Sequence, residues 1–208
     1  MFELLSADTP NGKKVSILLE ELGLQYKVTK INIYKGDQFK PSFSKISPFN
    51  KIPVLKDLKT KKYIFESGAI LIYLGEKYKK FYDKKDRLKI LQWLMAQMAY
   101  VGPMFGQHHQ FHHYNHGKSK FGEDRYFKIS TQIYKDLDKR LSKSKFLACS
   151  KYTIADIATF PWVARHEIHD IGLRKFKNLT RWFEQISKRK AVIKGYDFMD
   201  RGEIIPKP

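Results

Sequence analysis

One change of rhythm constrains this chain more than any other feature. Strand-like and helix-like stretches alternate up to about Lys79, and beyond Asp86 only helical spacing remains. Phe2–Leu5 reads as a short apolar strand. Val15, Leu18, Leu19 and Leu22 follow at helical spacing, with Gly23 as the stop. Tyr26–Ile33 is β-branched and reads as a second strand, its alternation slipping between Val28 and Ile31 as at a bulge. Ile52–Leu55 and Tyr63–Phe65 are further strands joined by a turn at Lys59–Lys62. Ser67 then opens a helix carrying Ile70, Leu71 and Leu74. The order is βαβ, an irregular segment, ββ and α, which predicts a small mixed sheet with helices packed on it.

The polar run Lys79–Asp86 breaks this pattern. We therefore place a first domain at 1–79, a linker at 80–86 and an all-helical domain at 87–208. A helical pattern runs from Arg87 to about Tyr114, with a kink expected at Gly102–Pro103. Tyr126, Ile129, Ile133, Leu137 and Leu141 mark a second helix, Ile154–Ile171 a buried third and Leu179–Ser187 a fourth. Thr153-Ile-Ala-Asp156 has the form of a capping box, with Tyr152 placed to staple against Ile157. At 208 residues and 42% hydrophobic content, the chain can build a sizeable core. It shows no membrane-length apolar run and no signal peptide, so the expectation is a soluble, cytoplasmic protein.

The net charge of +19 raises the question of a polyanionic partner. Yet 32 of the 40 basic residues are lysine, scattered rather than striped, where arginine is the usual contact to phosphate and bases. A lysine-rich solvated surface is the preferred reading, with neither nucleic acid nor membrane as partner. Such a surface would still steer small anions toward the protein.

Three features invite chemical readings. His108, His109, His112, His113 and His116 form pairs four apart, a spacing at which two histidines can share a metal. Gln110 stands where a metalloprotease glutamate would, and no carboxylate completes a ligand set, so a polar cleft or helix end is preferred and no metal is expected. Cys149 is the only cysteine, which excludes an internal disulfide or a CxxC pair. It has no identifiable base and reads as incidental. Third, several turns have the chemistry of ligand loops. Thr9-Pro10-Asn11-Gly12 lies between the first strand and helix, where Thr9 and Asn11 can donate to an anion. Pro53 precedes a strand; were the Ile52–Pro53 bond cis, the Ile52 backbone would be exposed to an extended peptide. Glu66 suits an ammonium, and Ser67 with the helix amides suits a carboxylate.

These fragments occur in a fixed order. TPNG, KGDQF, SPFNKIP, FESGAI, LQWL, GPMFGQ, a histidine-bearing HxxFxxY stretch, DRY and YTIADIATFPW span nearly the whole chain. In this the chain resembles the glutathione transferase superfamily, and more narrowly its bacterial disulfide-bond oxidoreductase (nu-class-like) branch. The resemblance implies an α/β thioredoxin-like N-terminal domain plus an all-α helical domain, assembled as a homodimer. It also implies a histidine helix that lines a cleft.

The resemblance further implies glutathione as co-substrate. Ser67 and Glu66 would hold its γ-glutamyl end, Ile52 beside Pro53 would pair with its cysteinyl backbone, and Gln38 and Lys51 would meet the glycyl carboxylate or a second glutathione. Arg125, in DRY, would reach an additional glutathione carboxylate, across the dimer if need be. Thr9 and Asn11 would be the catalytic pair beside the sulfur. With no cysteine in the first domain and no tyrosine in the first turn, glutathione's own thiolate becomes the nucleophile. It would attack a disulfide or a hydroperoxide, with conjugation to electrophiles as a weak side activity. The alternatives are a conventional conjugating transferase and a non-enzymatic binding or regulatory protein on the same fold. Ser6 and Asp8 depart from the more apolar residues common before the turn, and an inward Asp8 would oppose a thiolate. No C-terminal tail is expected to close over the site.

Overall fold

The computed structural model describes all 208 residues. The chain runs β1 (Phe2–Ser6), α1 (Pro10–Glu21), β2 (Tyr26–Lys30), two 3-10 turns (Ile33–Lys35 and Asp37–Phe39), α2 (Pro41–Ser44), β3 (Val54–Asp57), β4 (Lys62–Phe65) and α3 (Ser67–Tyr78). Then come α4 (Arg87–Ala96), α5 (Gly102–His108), α6 (Lys120–Ser142), α7 (Ile154–Val163), α8 (His166–His169), α9 (Lys177–Ser187) and α10 (Lys190–Tyr196). Contacts divide it into two units, Met1–Tyr82 with Arg189–Ile204, and Asp83–Lys188 with Ile205–Pro208.

The first unit holds a four-stranded sheet of order β2-β1-β3-β4. β1 pairs parallel to β2 and antiparallel to β3, which pairs antiparallel to β4, as one crossover followed by a hairpin requires. Phe2, Leu4 and Ser6 alternate inward along β1. β2 stops at Lys30, short of the expected Ile33. Asn32 ends it, because its side chain accepts the amides of Tyr34 and Lys35 at 3.2 and 3.1 Å and starts a 3-10 turn. β3 begins at Val54 rather than Ile52, since Pro53 has no N–H to give the ladder. It continues to Asp57, whose carboxylate accepts from Lys59 N at 2.9 Å and Thr60 N at 3.3 Å to set the turn.

α1 is apolar on more than one side. Val15, Ile17, Leu18 and Leu19 are all buried, and α10 covers the side on which Ile17 lies. A Cβ on Gly195 would stand 2.6 Å from Ile17 Cα, so only glycine allows this backbone approach. The Arg189 guanidinium pairs Glu21 at 2.5 and 2.7 Å, and Ser16 Oγ donates to Gly195 O at 2.6 Å. Residues 189–204 therefore belong with the first unit, a correction to a helical domain of 87–208.

In the second unit, the expected kink at Gly102–Pro103 is a π-helical turn, Gln97–Val101, directly ahead of it. The wider winding accommodates a proline that cannot donate. A second π turn spans His109–Tyr114. The expected helix Ile154–Ile171 is interrupted after Val163, two residues past the internal Pro161, and resumes as α8. The capping box forms: Thr153 Oγ1 accepts from Ala155 N at 3.3 Å, and Asp156 takes the Thr153 amide at 3.0 Å. The buried Asp156 also accepts from Leu147 N and Trp182 Nε1, each at 2.9 Å, so one carboxylate ties α7, α9 and the preceding loop.

Candidate functional site

Thr9 begins the site by capping α1, its hydroxyl accepting from Gly12 N at 3.2 Å. Pro10 follows at the first helical position, and Asn11 comes next. Asp8 turns to Lys13, at 2.9 Å, and to Arg201, at 3.8 Å. Burial acts to raise the Asp8 carboxyl, but hydrogen bonds with Glu203 and Lys13 outweigh it and hold the group below its ordinary value. Its charge is thus engaged by cations. Lys13 also meets the Glu203 carboxylate, the Tyr196 carbonyl at 2.7 Å and the Tyr196 ring at 3.9 Å. Phe198 lies against Gly12, where a Cβ would meet it at 3.0 Å. A later segment therefore flanks this turn, although none of its residues lines the cleft described below.

The second wall comes from the residues before β3. Ser47 Oγ donates to Lys51 O at 2.7 Å and accepts from Lys51 N at 3.1 Å, fixing the backbone that enters Ile52. Ser44 Oγ donates to Asn50 Oδ1 at 2.7 Å, and Asn50 adopts φ 55°. The Ile52–Pro53 bond is cis. Ile52 lies outside the ladder, whose first pair is Val54–Phe65, so the sheet does not use its amide or carbonyl. One step beyond that pair stand Pro53 and Glu66. Glu66 holds φ 68°, ψ 115°, an unusual backbone for a non-glycine residue, and Ser67 starts α3.

These walls enclose a cleft of about 150 Å³ lined by Asn11, Ser47, Phe49, Lys51, Ile52, Pro53, Phe65, Glu66 and Ser67. Six residues singled out from sequence come together there: Asn11, Lys51, Ile52, Pro53, Glu66 and Ser67. Thr9 supports it through the α1 cap. Gln38 is outside the lining and donates to Ile33 O at 3.2 Å. Arg125 is exposed on α6 of the second unit. Sequence reasoning passed over Ser47, Phe49 and Phe65, although each sits inside a quoted motif. Chemically, the cleft offers a hydroxyl and a helix N-terminus to a carboxylate, Glu66 to an ammonium and an unused strand edge to a peptide. Beside these it sets Asn11 at the positive end of α1.

The other candidates belong to the second unit. Cys149 lies in the second unit, and burial raises its thiol pKa, the opposite of an activated nucleophile. No group of three or more His, Cys, Asp and Glu side chains is arranged to hold a metal ion. Of the expected histidine pairs, His108–His112 stack at 4.7 Å and His112–His116 meet edge-on at 5.9 Å. His109 instead turns to His169, 2.8 Å between Nε2 atoms. Tyr134 Oη lies 2.7 Å from His169 Nδ1, and His108 Nε2 lies 2.8 Å from His169 O. His169, missed from sequence, is the hub.

Residues 9–77 match the model of the glutathione S-transferase N-terminal domain and residues 95–190 that of the C-terminal domain. The chain belongs to the glutathione S-transferase family. Among its relatives, the disulfide-bond oxidoreductase YfcG of Escherichia coli is 40% identical over 199 residues, covering 92% of this chain and 93% of that protein. The disulfide-bond oxidoreductase YghU of the same organism is 35% identical over 213 residues, covering 93% and 73%. A glutathione transferase from Burkholderia graminis, solved with two glutathione molecules per subunit, superposes with TM-score 0.89 at 38% identity, covering 97% of this chain and 89% of that one. One from Pseudomonas putida, solved with one glutathione disulfide per subunit, gives 0.87 at 40%, covering 94% and 90%.

Proposed function

We propose that this protein is a glutathione-dependent disulfide-bond reductase. The observation that carries the reading is the single cleft in which Asn11, Lys51, Ile52, Pro53, Glu66 and Ser67 meet. Ser67 and the α3 amides take the glutathione α-carboxylate, Glu66 its ammonium, and Ile52 pairs with the cysteinyl backbone. Lys51 and Gln38 serve the glycyl carboxylate or a second glutathione. The sulfur then lies at the α1 N-terminus, where Thr9 and Asn11 with the helix dipole favour the thiolate. That thiolate attacks one sulfur of a substrate disulfide, forming a mixed disulfide and releasing a substrate thiolate. A second glutathione thiolate attacks the mixed disulfide, releasing oxidised glutathione and the other substrate thiolate, which takes up a proton. With a hydroperoxide, the thiolate displaces alkoxide to give glutathione sulfenic acid, and the second glutathione converts this to the disulfide and water.

The relatives named as disulfide-bond oxidoreductases, and the neighbours solved with two glutathiones or with its disulfide, support this chemistry over simple conjugation. We place the protein in the cytoplasm as a homodimer, with Arg125 reaching a glutathione carboxylate; exposed Leu88, Met95 and Phe121 are apolar surface that a partner subunit would cover. Calorimetric titration with reduced and oxidised glutathione, on wild type, Asn11→Ala and Arg125→Ala, tests the reading. Oxidised glutathione binding at least as tightly as reduced, with both substitutions weakening it, is the result expected of a site built for two glutathiones and disulfide exchange. Binding of reduced glutathione alone would put conjugation ahead, and binding of neither would leave the cleft without its ligand.

A further inference from the structure

Lys13 and Lys14 are adjacent on α1, both are buried, and they point to different partners. Lys13 meets Asp8, Glu203 and Tyr196. Lys14, 2% exposed, brings its ammonium 3.4 Å from Ser67 Oγ, with Glu66 as the neighbouring charge that acts on it. A desolvated ammonium is costly, and a methionine could fill the same tube of space with no such cost. Burial depresses the Lys14 pKa well below its ordinary value, with Glu66 pushing back. The Lys14 ammonium thus lies directly behind the hydroxyl that lines the cleft.

We propose that Lys14 is a positioning residue that acts through Ser67 on the carboxylate end of the ligand. Its ammonium holds the Ser67 hydroxyl, and its field reaches a carboxylate seated at Ser67 and the α3 N-terminus. The field is effective because the intervening medium is protein rather than water. Lys14 touches no reacting atom in this scheme. It selects for ligands with a carboxylate at that end and leaves the sulfur chemistry to Thr9 and Asn11. The inference rests on the reading of the cleft as a glutathione site, and the two can fail separately.

The test compares wild type, Lys14→Met and Lys14→Gln by calorimetry with two ligands: glutathione, and the analogue lacking the glutamyl α-carboxylate, γ-aminobutyryl-cysteinyl-glycine. Wild type should prefer glutathione. Lys14→Met should weaken glutathione roughly 10- to 100-fold and leave the analogue within about twofold, erasing the preference. Lys14→Gln, which keeps a donor but no charge, should lose a similar factor. In turnover with a small disulfide, KM for glutathione should rise while kcat stays close to wild type. Urea melts of both variants show that each is folded before its affinity is read. Equal weakening of both ligands, or unchanged glutathione affinity in whichever variant folds, overturns the proposal. Wild type that binds neither ligand overturns the glutathione reading and this proposal with it.

Discussion

Lowering the pH from 7 to 5 should destabilise the helical unit, and His109 sets the magnitude. Its ring is 6% exposed and lies 2.8 Å from His169 Nε2, so one of the two nitrogens must accept and the pair cannot be doubly protonated there. Burial, with Arg165 and the neighbouring histidines adding to it, pushes His109 down to about 3. An unfolded histidine titrates near 6.5. At pH 5 the unfolded chain has therefore taken up a proton that the folded chain refuses, and stability falls as the pH falls. Integrating between those limits gives about 2 kcal/mol lost for His109 alone. His169, fully buried and depressed in the same direction, adds to the loss. Asp156 and Glu203 are raised in the folded protein and oppose it, but they are common to wild type and variant. Urea unfolding at the two pH values, on wild type and His109→Gln, measures the difference. The variant should lose about 2 kcal/mol less than wild type over this interval. Equal losses in the two proteins would refute the argument.

Two further outcomes follow from packing. Asp156→Ala leaves Leu147 N, Thr153 N and Trp182 Nε1 without their acceptor in the core and should cost roughly 3–5 kcal/mol by urea denaturation, far more than loss of a cap alone. Gly195→Ala drives a Cβ to 2.6 and 2.7 Å from Ile17 backbone atoms, which cannot step aside as a side-chain tip could. It should cost about 1–3 kcal/mol and open residues 189–204 to limited proteolysis.

Local chemistry was legible in the sequence where partners are close along the chain. The Thr153–Asp156 box forms because its atoms lie within one helical turn. The strands and hairpin were readable to within two or three residues, and the errors came from single side chains: Asn32 ending β2, Pro53 delaying β3. The cleft was readable because its three segments each carry a turn with ligand-like chemistry. Partnerships over long separations were not readable. Lys13 and Lys14 look like surface lysines until Tyr196 and Ser67 are set beside them, and nothing around His109 announces that its partner is His169, 60 residues later. α10 stayed hidden because its lysines mask Val192 and Gly195, the residues that bury it.

The docking of 189–204 on α1 has a consequence for synthesis. Lys13 finds the Tyr196 carbonyl across 183 residues, and Ser16 finds Gly195 across 179. A ribosome making about 5–20 residues per second delivers the sheet, α1 and α3 many seconds before the strap that covers α1. During that interval the nascent chain carries an uncovered apolar ridge at Ile17 and a lysine still waiting for its acceptors. The unit that carries the cleft is begun before the helical unit, yet it is completed only after the helical unit has left the exit tunnel.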